Sequence, residues 1–451
     1  MYIVIIGDGK VGRTITKHLS QEGHDIVIID KNPNIIDEAV NEFDVKGIYG
    51  NGASYDIQKE AGVNKADLVI AVTSGDELNI LCCLVAKKLG AKQTIARVRN
   101  PEYSKQILMM RDELGLSMTV NPELEAAREI SRMLRFPCAI KVDTFANGKV
   151  DLVELKVDEK SNLVGLKLQS LRTKYQIHVL VCAVLRNNEV VIPRGDFVFE
   201  AKDKLYITSN PQQITKFFKC FNIIKEKPKN AIIIGGGKIA YYLIPKMIDS
   251  NIGIKVIEID KKKCVELSEA FPEITVINGD GTNQKLLLEE GIESTDSILT
   301  LTGYDEENII ISMYAKNKNV AKVITKINRE NYNFMLENVG LDSLISPKEI
   351  TANNIIRYAR GMESSMGSEF RTLYKLVENK VEALEFFIAT KTQYTSIPLK
   401  NLEVKSDILI ASIIRDGVVI IPSGDDTIEA LDTVIIITTK QQLKDLSEII
   451  K

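Results

Sequence analysis

Two glycine loops carry the residue types and spacing that could hold a ligand's phosphates. Gly7-Asp8-Gly9-Lys10-Val11-Gly12 follows a β-branched apolar run and opens a helix-like stretch, and Gly235-Gly236-Gly237-Lys238-Ile239-Ala240 does the same later in the chain. A GxGxxG spacing alone is a weak signal, but between a strand and a helix it has a mechanism. The first glycine permits a tight turn, the second lets the backbone approach a pyrophosphate, and the third small residue lets helix and strand pack closely. The free N–H groups of the helix start then face anionic oxygens. Asp30 ends the next apolar run, 18 residues after Gly12, where a carboxylate accepts both ribose hydroxyls and repels a 2′-phosphate. Aligning Ile26 to Asp30 with Ile254 to Glu258 puts Glu258 in the same role, with Asp260 as a competing carboxylate two residues on. This chemistry favours NAD(H) or an adenine nucleotide, ATP or ADP, over a 2′-phosphorylated dinucleotide. Asp8 is the discordant residue: a carboxylate beside a pyrophosphate is repulsive unless its side chain points away, whereas Gly236 carries no such charge. The two sites are therefore expected to differ in affinity or ligand.

Further polar residues fall where strands end. Asn51 and Asp280 follow the third strand-like run of each half, Thr73 with Ser74 and Thr302 the fourth, and Arg97 and Lys326 the fifth. Open α/β sheets hold ligands at the carboxyl ends of their strands, so these positions reach base, ribose or phosphate. The plain alternative for Arg97 is a solvated charge at an exposed strand end, set against a phosphate contact favoured by the cation recurring at Lys326. Lys10 and Lys238, at helix starts, fit either reading. No constellation for catalysis or metal binding stands out. His18, His24 and His178 each read as a surface or packed histidine. Cys82, Cys83, Cys138, Cys182, Cys220 and Cys264 have no metal-type spacing and read as reduced core residues.

The elements that must position these residues are written twice. The segment Ile3 to Gly12 recurs as Ala231 to Ala240 at an offset of 228, and after a one-residue slip an offset of 229 matches Gly50-Asn-Gly52 to Gly279-Asp-Gly281. Asp76, Glu77 and Asn79 meet Asp305, Glu306 and Asn308, and Val191-Ile-Pro-Arg-Gly-Asp196 meets Ile420-Ile-Pro-Ser-Gly-Asp425. Within each half, strand-like runs alternate with helical spacing: Tyr2 to Ile6, Asp25 to Ile29, Gly47 to Tyr49, Leu68 to Val72 and Thr94 to Val98 as strands, Lys10 to Gln21 and Asn79 to Leu89 as helices. Such alternation predicts a parallel sheet wrapped by helices. The following stretch, with short runs at Val150 to Lys156, His178 to Val184 and Lys204 to Thr208, predicts a small α+β module. Fold class is thus α/β, with two Rossmann-like parallel-sheet modules alternating with two small α+β modules. The expected boundaries are 1–122 and 229–347 for the nucleotide-binding modules, 123–137 and 348–362 for amphipathic linking helices, and 138–225 and 368–451 for the C-terminal modules. A linking helix of this kind fits docking on another subunit as well as on its own chain.

Composition narrows the function. Of 451 residues, 45% are hydrophobic and 26% charged, and Lys+Arg 58 against Asp+Glu 61 gives a net charge of -3, so no nucleic-acid partner is expected. The apolar runs fall short of the ~20 residues that span a bilayer. Met1 leads straight into a strand-like run, so no secretory leader is expected.

The order of modules, with Gly279-Asp-Gly-Thr282, Thr302…Asp305-Glu-x-Asn308, Ile95-Ala-Arg-Val98 and Asn100-Pro-Glu-Tyr103, resembles the tandem form of the KTN/RCK family. Asn51 departs from the family's usual Asp. The resemblance covers nearly the whole chain. It implies a regulatory subunit without enzymatic activity that binds NAD(H) or adenine nucleotides from Gly7 and Gly235. It further implies crossover helices after Pro122 and Pro347. The implied partner is an integral-membrane TrkH-like potassium transporter, beneath which the protein forms a homo-oligomeric ring on the cytoplasmic face of the cell membrane. Rival readings are an NAD-dependent oxidoreductase, a redox-sensing transcription regulator, and a regulator of a different potassium channel or antiporter.

Overall fold

Runs such as Ile3-Val-Ile-Ile6 bury both faces, which places them in the middle of a sheet covered by helices on either side. The computed structural model describes all residues except 147–148, 188, 224–226, 330–331, 333–334, 337–338, 364–367, 377–379, 406–407, 440–442, 444 and 451. β1 (Tyr2–Ile6), β2 (Asp25–Asp30), β3 (Lys46–Tyr49), β4 (Leu68–Ala71), β5 (Gln93–Arg97) and β6 (Met118–Val120) form a parallel sheet in the order β3-β2-β1-β4-β5-β6. The order reverses between β1 and β4, which opens a crevice at their carboxyl ends. Asn230–Ile234, Gly253–Glu258, Thr275–Asn278, Ser297–Thr300, Lys322–Lys326 and Leu344–Ile345 repeat this sheet strand for strand. Each parallel sheet is followed by a five-stranded antiparallel one, running Lys141–Phe145 to Lys204–Ser209 in the first half and Ser368–Leu376 to Thr433–Thr438 in the second.

Two local expectations are corrected. The strand expected from His178 begins at Leu180, because Gln176 adopts φ 51 and the Gln213 side chain takes the amide of His178 at 3.1 Å, which leaves His178 exposed. Cys82, Cys83, Cys182 and Cys264 are buried, but Cys220 is exposed. It ends a helix (Pro211–Cys220) whose buried side is made by Ile214, Phe217 and Phe218.

The two halves are crossed. The first linking helix, Pro122–Arg135, does not pack on the glycine-loop helix of its own half. It lays Ala126, Ala127, Ile130, Met133 and Leu134 against Ala240, Leu243, Ile244 and Met247 of the helix Lys238–Ile248. Reciprocally, the second linking helix, Pro347–Glu363, lays Ala352, Ile355, Ile356 and Ala359 against Ile15 and Leu19 of the helix Lys10–Gln21. Alanines at these contacts let the helix backbones approach. Within the chain, each linking helix thus docks on the opposite half. The antiparallel sheets also join face to face: Phe145, Leu152 and Cys182 share a core with Leu376, Ala383 and Ile435. There Tyr374 donates its hydroxyl hydrogen to the Thr144 carbonyl at 2.9 Å.

A buried cation fastens one of these crossings. Arg360, with its side chain 2% exposed, donates to Glu22 at the end of the first glycine-loop helix and to Glu382 of the second antiparallel sheet, the latter through two 3.0 Å hydrogen bonds. Removing one member of a buried ion network leaves an uncompensated charge, which costs about 3–5 kcal/mol. Arg360→Met is therefore expected to lower stability to denaturant by about that amount, with partial recovery when Glu22→Gln and Glu382→Gln are added. An unchanged denaturation midpoint for Arg360→Met alone would show that the clasp does not hold the halves together.

Candidate functional site

The first crevice is built from the turn after β1. Gly7 adopts φ 94, and a Cβ there would meet the Thr73 backbone at 3.0 Å. A Cβ on Gly12 would come within 2.0 Å of the Gly7 carbonyl oxygen, so the glycine is needed for the helix to start this close to the strand. A Cβ on Gly9 meets nothing within 4 Å, which leaves that backbone open to a ligand. Asp30, at the end of β2, accepts from the amides of Asp8 at 2.8 Å and Asn32 at 2.9 Å. Its carboxylate is fixed at the rim of a cleft of about 430 Å³ lined by Gly7, Gly9, Lys10, Val11, Asp30, Thr73, Ser74 and Arg97 among others.

The second crevice repeats this geometry and decides between the two carboxylates left open there. Glu258 accepts from the amides of Gly236 at 2.6 Å and Asp260 at 2.9 Å, as Asp30 does from the corresponding amides. Asp260 instead caps the next helix by accepting from Lys262 at 2.9 Å. The cleft, about 390 Å³, is lined by Gly235, Gly237, Glu258, Asp280 and Thr302 among others. The Asp280 carboxyl is held below its ordinary pKa by hydrogen bonds from the Thr282 amide and hydroxyl.

At the strand ends both halves use the same hidden asparagine. Asn79 is fully buried, accepts from the Thr73 amide and hydroxyl at 2.7 Å each, and donates to the Arg97 carbonyl at 2.9 Å. Asn308 accepts from the Thr302 amide at 2.9 Å and donates to the Lys326 carbonyl at 3.0 Å. Asp76 and Asp305 tie the segment after the fifth strand by accepting from the amides of Arg99 and Asn100, and of Asn328 and Arg329. Recurrence in the sequence marked these four residues as repeated, but gave no sign that they position the threonine and the cation.

Arg97 is not the solvated strand-end charge of the plainer reading. It is 8% exposed, donates to the Thr73 carbonyl, leaves Nε without a partner, and is pushed down to about 10 by burial. Lys326 donates to the Thr302 carbonyl at 2.8 Å and is likewise lowered by burial. Arg97 remains cationic at neutral pH, and neither side chain has a carboxylate within ion-pair distance among the described residues. Lys10 and Lys238 are exposed, yet together with Val11, Ile239, Arg97, Lys326 and Lys348 they line the space where the two crevices approach each other. Asn51 stands apart from the other residues singled out. Its side chain accepts from the Ala53 amide at 3.2 Å in its own loop, and Gly50 and Gly52 supply the cleft wall beside it.

Asp8 points away from the cleft. Its carboxylate turns inward to Arg13 at 3.1 Å and to the Thr16 hydroxyl at 2.8 Å. Gly236 has no such option, since a Cβ there would lie 2.5 Å from Leu267.

Comparisons with known proteins agree with this architecture. Residues 3–122 and 231–347 match the TrkA-N domain, and residues 152–222 and 385–451 match the TrkA-C domain. The chain is 34% identical over 460 residues to Trk system potassium uptake protein TrkA homolog 1 of Methanosarcina mazei, and 33% identical over 451 residues to the TrkA homolog of Archaeoglobus fulgidus, with both chains fully covered in each case. It is 30% identical to the TrkA protein of Halomonas elongata, covering 100% of this chain and 98% of that one. Among solved structures, the GsuK RCK domain superposes with a TM-score of 0.64 at 18% identity, covering 99% of this chain and 94% of that one. The GsuK channel bound to NAD gives 0.64 at 18%, covering 99% and 78%.

The inward turn of Asp8 has a pH consequence. Burial, opposed by the Thr16 hydrogen bond and Arg13 and assisted by Asp30, pushes its carboxyl up to about 6. A carboxyl raised above its unfolded value of ~3.9 contributes stability that is fully present below that value and is lost as pH rises through about 6. Asp8→Asn is therefore expected to flatten the pH dependence of stability between about 4 and 7. Parallel melting curves of wild type and variant, differing by the same amount at every pH, would contradict this.

Proposed function

This chain belongs to the TrkA family of Trk-system potassium uptake proteins, and from that premise we propose that it is a nucleotide-sensing regulatory subunit of a potassium transporter. The observation that carries the proposal is a rim carboxylate fixed by loop amides in each crevice, Asp30 and Glu258, together with a cation at the end of each fifth strand that has no acidic partner among the described residues: buried Arg97, which lines the first crevice, and half-buried Lys326, which lines the space between the two. A ribose diol fits the carboxylate and phosphate oxygens fit the cation, with the open backbone of Gly9 or Gly237 between them. NAD(H), ATP and ADP all carry these groups. The ligand set is Gly7, Gly9, Lys10, Asp30, Thr73 and Arg97 in the first crevice, and Gly235, Gly237, Lys238, Glu258, Asp280, Thr302 and Lys326 in the second.

The regulation follows from linkage, with no bond made or broken. A nucleotide that prefers one arrangement of the crossed helices shifts the population toward it, by no more than its difference in affinity for the two arrangements. Because each glycine-loop helix carries the linking helix of the other half, occupancy of one crevice bears on both. No helix among the described residues is long and apolar enough to cross a membrane, and in this reading the ion path belongs to an integral-membrane TrkH-like partner. Leu81 and Ile310, at equivalent positions of the helices after the fourth strands, are 47% and 63% exposed, apolar positions that a homo-oligomeric ring would cover; its place at the cytoplasmic face of the membrane follows from the transporter partner in this reading.

Calorimetric titration with NADH, NAD, ATP and ADP is expected to show binding at two classes of site with the nucleotide recovered unchanged. Asp30→Asn and Glu258→Gln should each weaken one class by roughly 10- to 100-fold, the equivalent of one charge-assisted hydrogen bond. Binding unaffected by both substitutions would overturn the assignment. Consumption of NADH with a substrate would point instead to an oxidoreductase.

A further inference from the structure

The Arg360 clasp has a counterpart in the other half that lacks its acids. Arg135 occupies the position of Arg360 and donates to Asp151 at 3.1 Å, as Arg360 donates to Glu382. The sheet register confirms the match, since Asp151 pairs with Ser209 and Glu382 with Thr438 on equivalent strands. In the place of Glu22, however, stands Ser250: both directly precede a left-handed residue, Gly23 at φ 75 and Asn251 at φ 61, that closes the glycine-loop helix. His18, which pairs with Glu349 at 3.1 Å, is replaced by Lys246, and the position of Glu349 is taken by Leu124. One crossing thus sets Arg360 and His18 against three carboxylates. The other sets Arg135 and Lys246 against Asp151, while its Arg132, the counterpart of Arg357, lies beside the buried Glu129.

The space left by the missing acids is a pocket of about 250 Å³, lined by Ser131, Arg132, Arg135, Lys227, Lys246 and Ser250 among others, with no carboxylate in its wall. Nε and Nη1 of Arg135 and Nζ of Lys227 and Lys246 have no hydrogen-bond partner among the described residues. Two helix C-termini end here, and basic residues are ordinary at such ends. Magnitudes decide against that as the whole account. The two ends supply roughly one negative charge together, and Asp151 at most one more, against the three cations Arg135, Lys227 and Lys246, Arg132 being set against Glu129. About one positive charge remains unbalanced in a half-open pocket between the second parallel-sheet module and the first linking helix.

We propose that this pocket binds an oxyanion, the phosphate group of a soluble small molecule or of a phospholipid headgroup, which completes the second crossing as Glu22 completes the first. Bound there, a dianionic phosphate bridges Arg135 to Lys246 and so joins the two halves, giving the protein a ligand-dependent clasp opposite a permanent one.

The test is thermal unfolding of the full chain in inorganic phosphate against chloride at matched ionic strength, for wild type, Ser250→Glu and Lys246→Gln. Phosphate at saturation is expected to raise the wild-type Tm by roughly 2 °C or more. Ser250→Glu supplies the missing carboxylate in the chain, so its Tm should start higher and no longer respond, while Lys246→Gln should lose the response without the higher start. Sedimentation with phosphatidylglycerol vesicles separates the sources: binding abolished by Ser250→Glu identifies a headgroup, and a phosphate response without vesicle binding identifies a soluble ligand. No phosphate response in wild type overturns the proposal. An equal response in all three proteins also overturns it, because the anion would then sit elsewhere, as in the glycine-loop crevices.

Discussion

The crossed packing of the linking helices is the constraint on which the rest of this molecule depends. Each buried Ile or Leu at these contacts is worth about 1.5–3 kcal/mol, and both crossings bury several. Neither parallel-sheet module can keep its glycine-loop helix covered without the other half of the chain. The same helices that start at the glycine loops therefore offer their apolar flanks to the opposite half. Crevice and interface lie on one rigid element, about two turns apart.

Duplication within one chain allows what symmetry between identical chains forbids. In a two-fold dimer of a half-length chain, both crevices would be identical and every contact across the interface would occur twice. Here the backbone scaffold is kept, down to the buried asparagines Asn79 and Asn308, while the charges have diverged. Asp8 with Arg13 corresponds to Gly236 under Leu267 and Asn51 to Asp280, while the strand-end cation is kept as Arg97 and Lys326. Shared backbone geometry with different side chains at these positions gives two crevices of one architecture with unlike linings.

Much of this was legible in the sequence because the signals are local. Strand β1 and the helix Lys10–Gln21 fall at the positions that the β-branched run and the helical spacing indicate. Gly7, Gly9 and Asp30 occupy the places that the strand–turn–helix pattern assigns them, since a glycine loop's conformation is set by a handful of adjacent residues. His178 and Cys220 were less legible. A single turn residue ended the strand run at the first, and helical phase turned the second outward. The positioning role of Asn79 was invisible because its partners, Thr73 and Arg97, reach it from two different strands.

The sequence by itself determined the duplication, the α/β class, the two glycine loops and the carboxylate that ends each second strand, because repeats and periodicities are properties of neighbours along the chain. Only the tertiary structure decided that Glu258 and not Asp260 faces the second crevice, that Asp8 turns inward, that Arg97 is buried, and that each linking helix belongs to the opposite half. Those outcomes depend on contacts between residues up to some 340 positions apart, as Glu22 and Arg360 are. Composition and spacing can establish which groups a chain has available for such contacts, but not which of them meet.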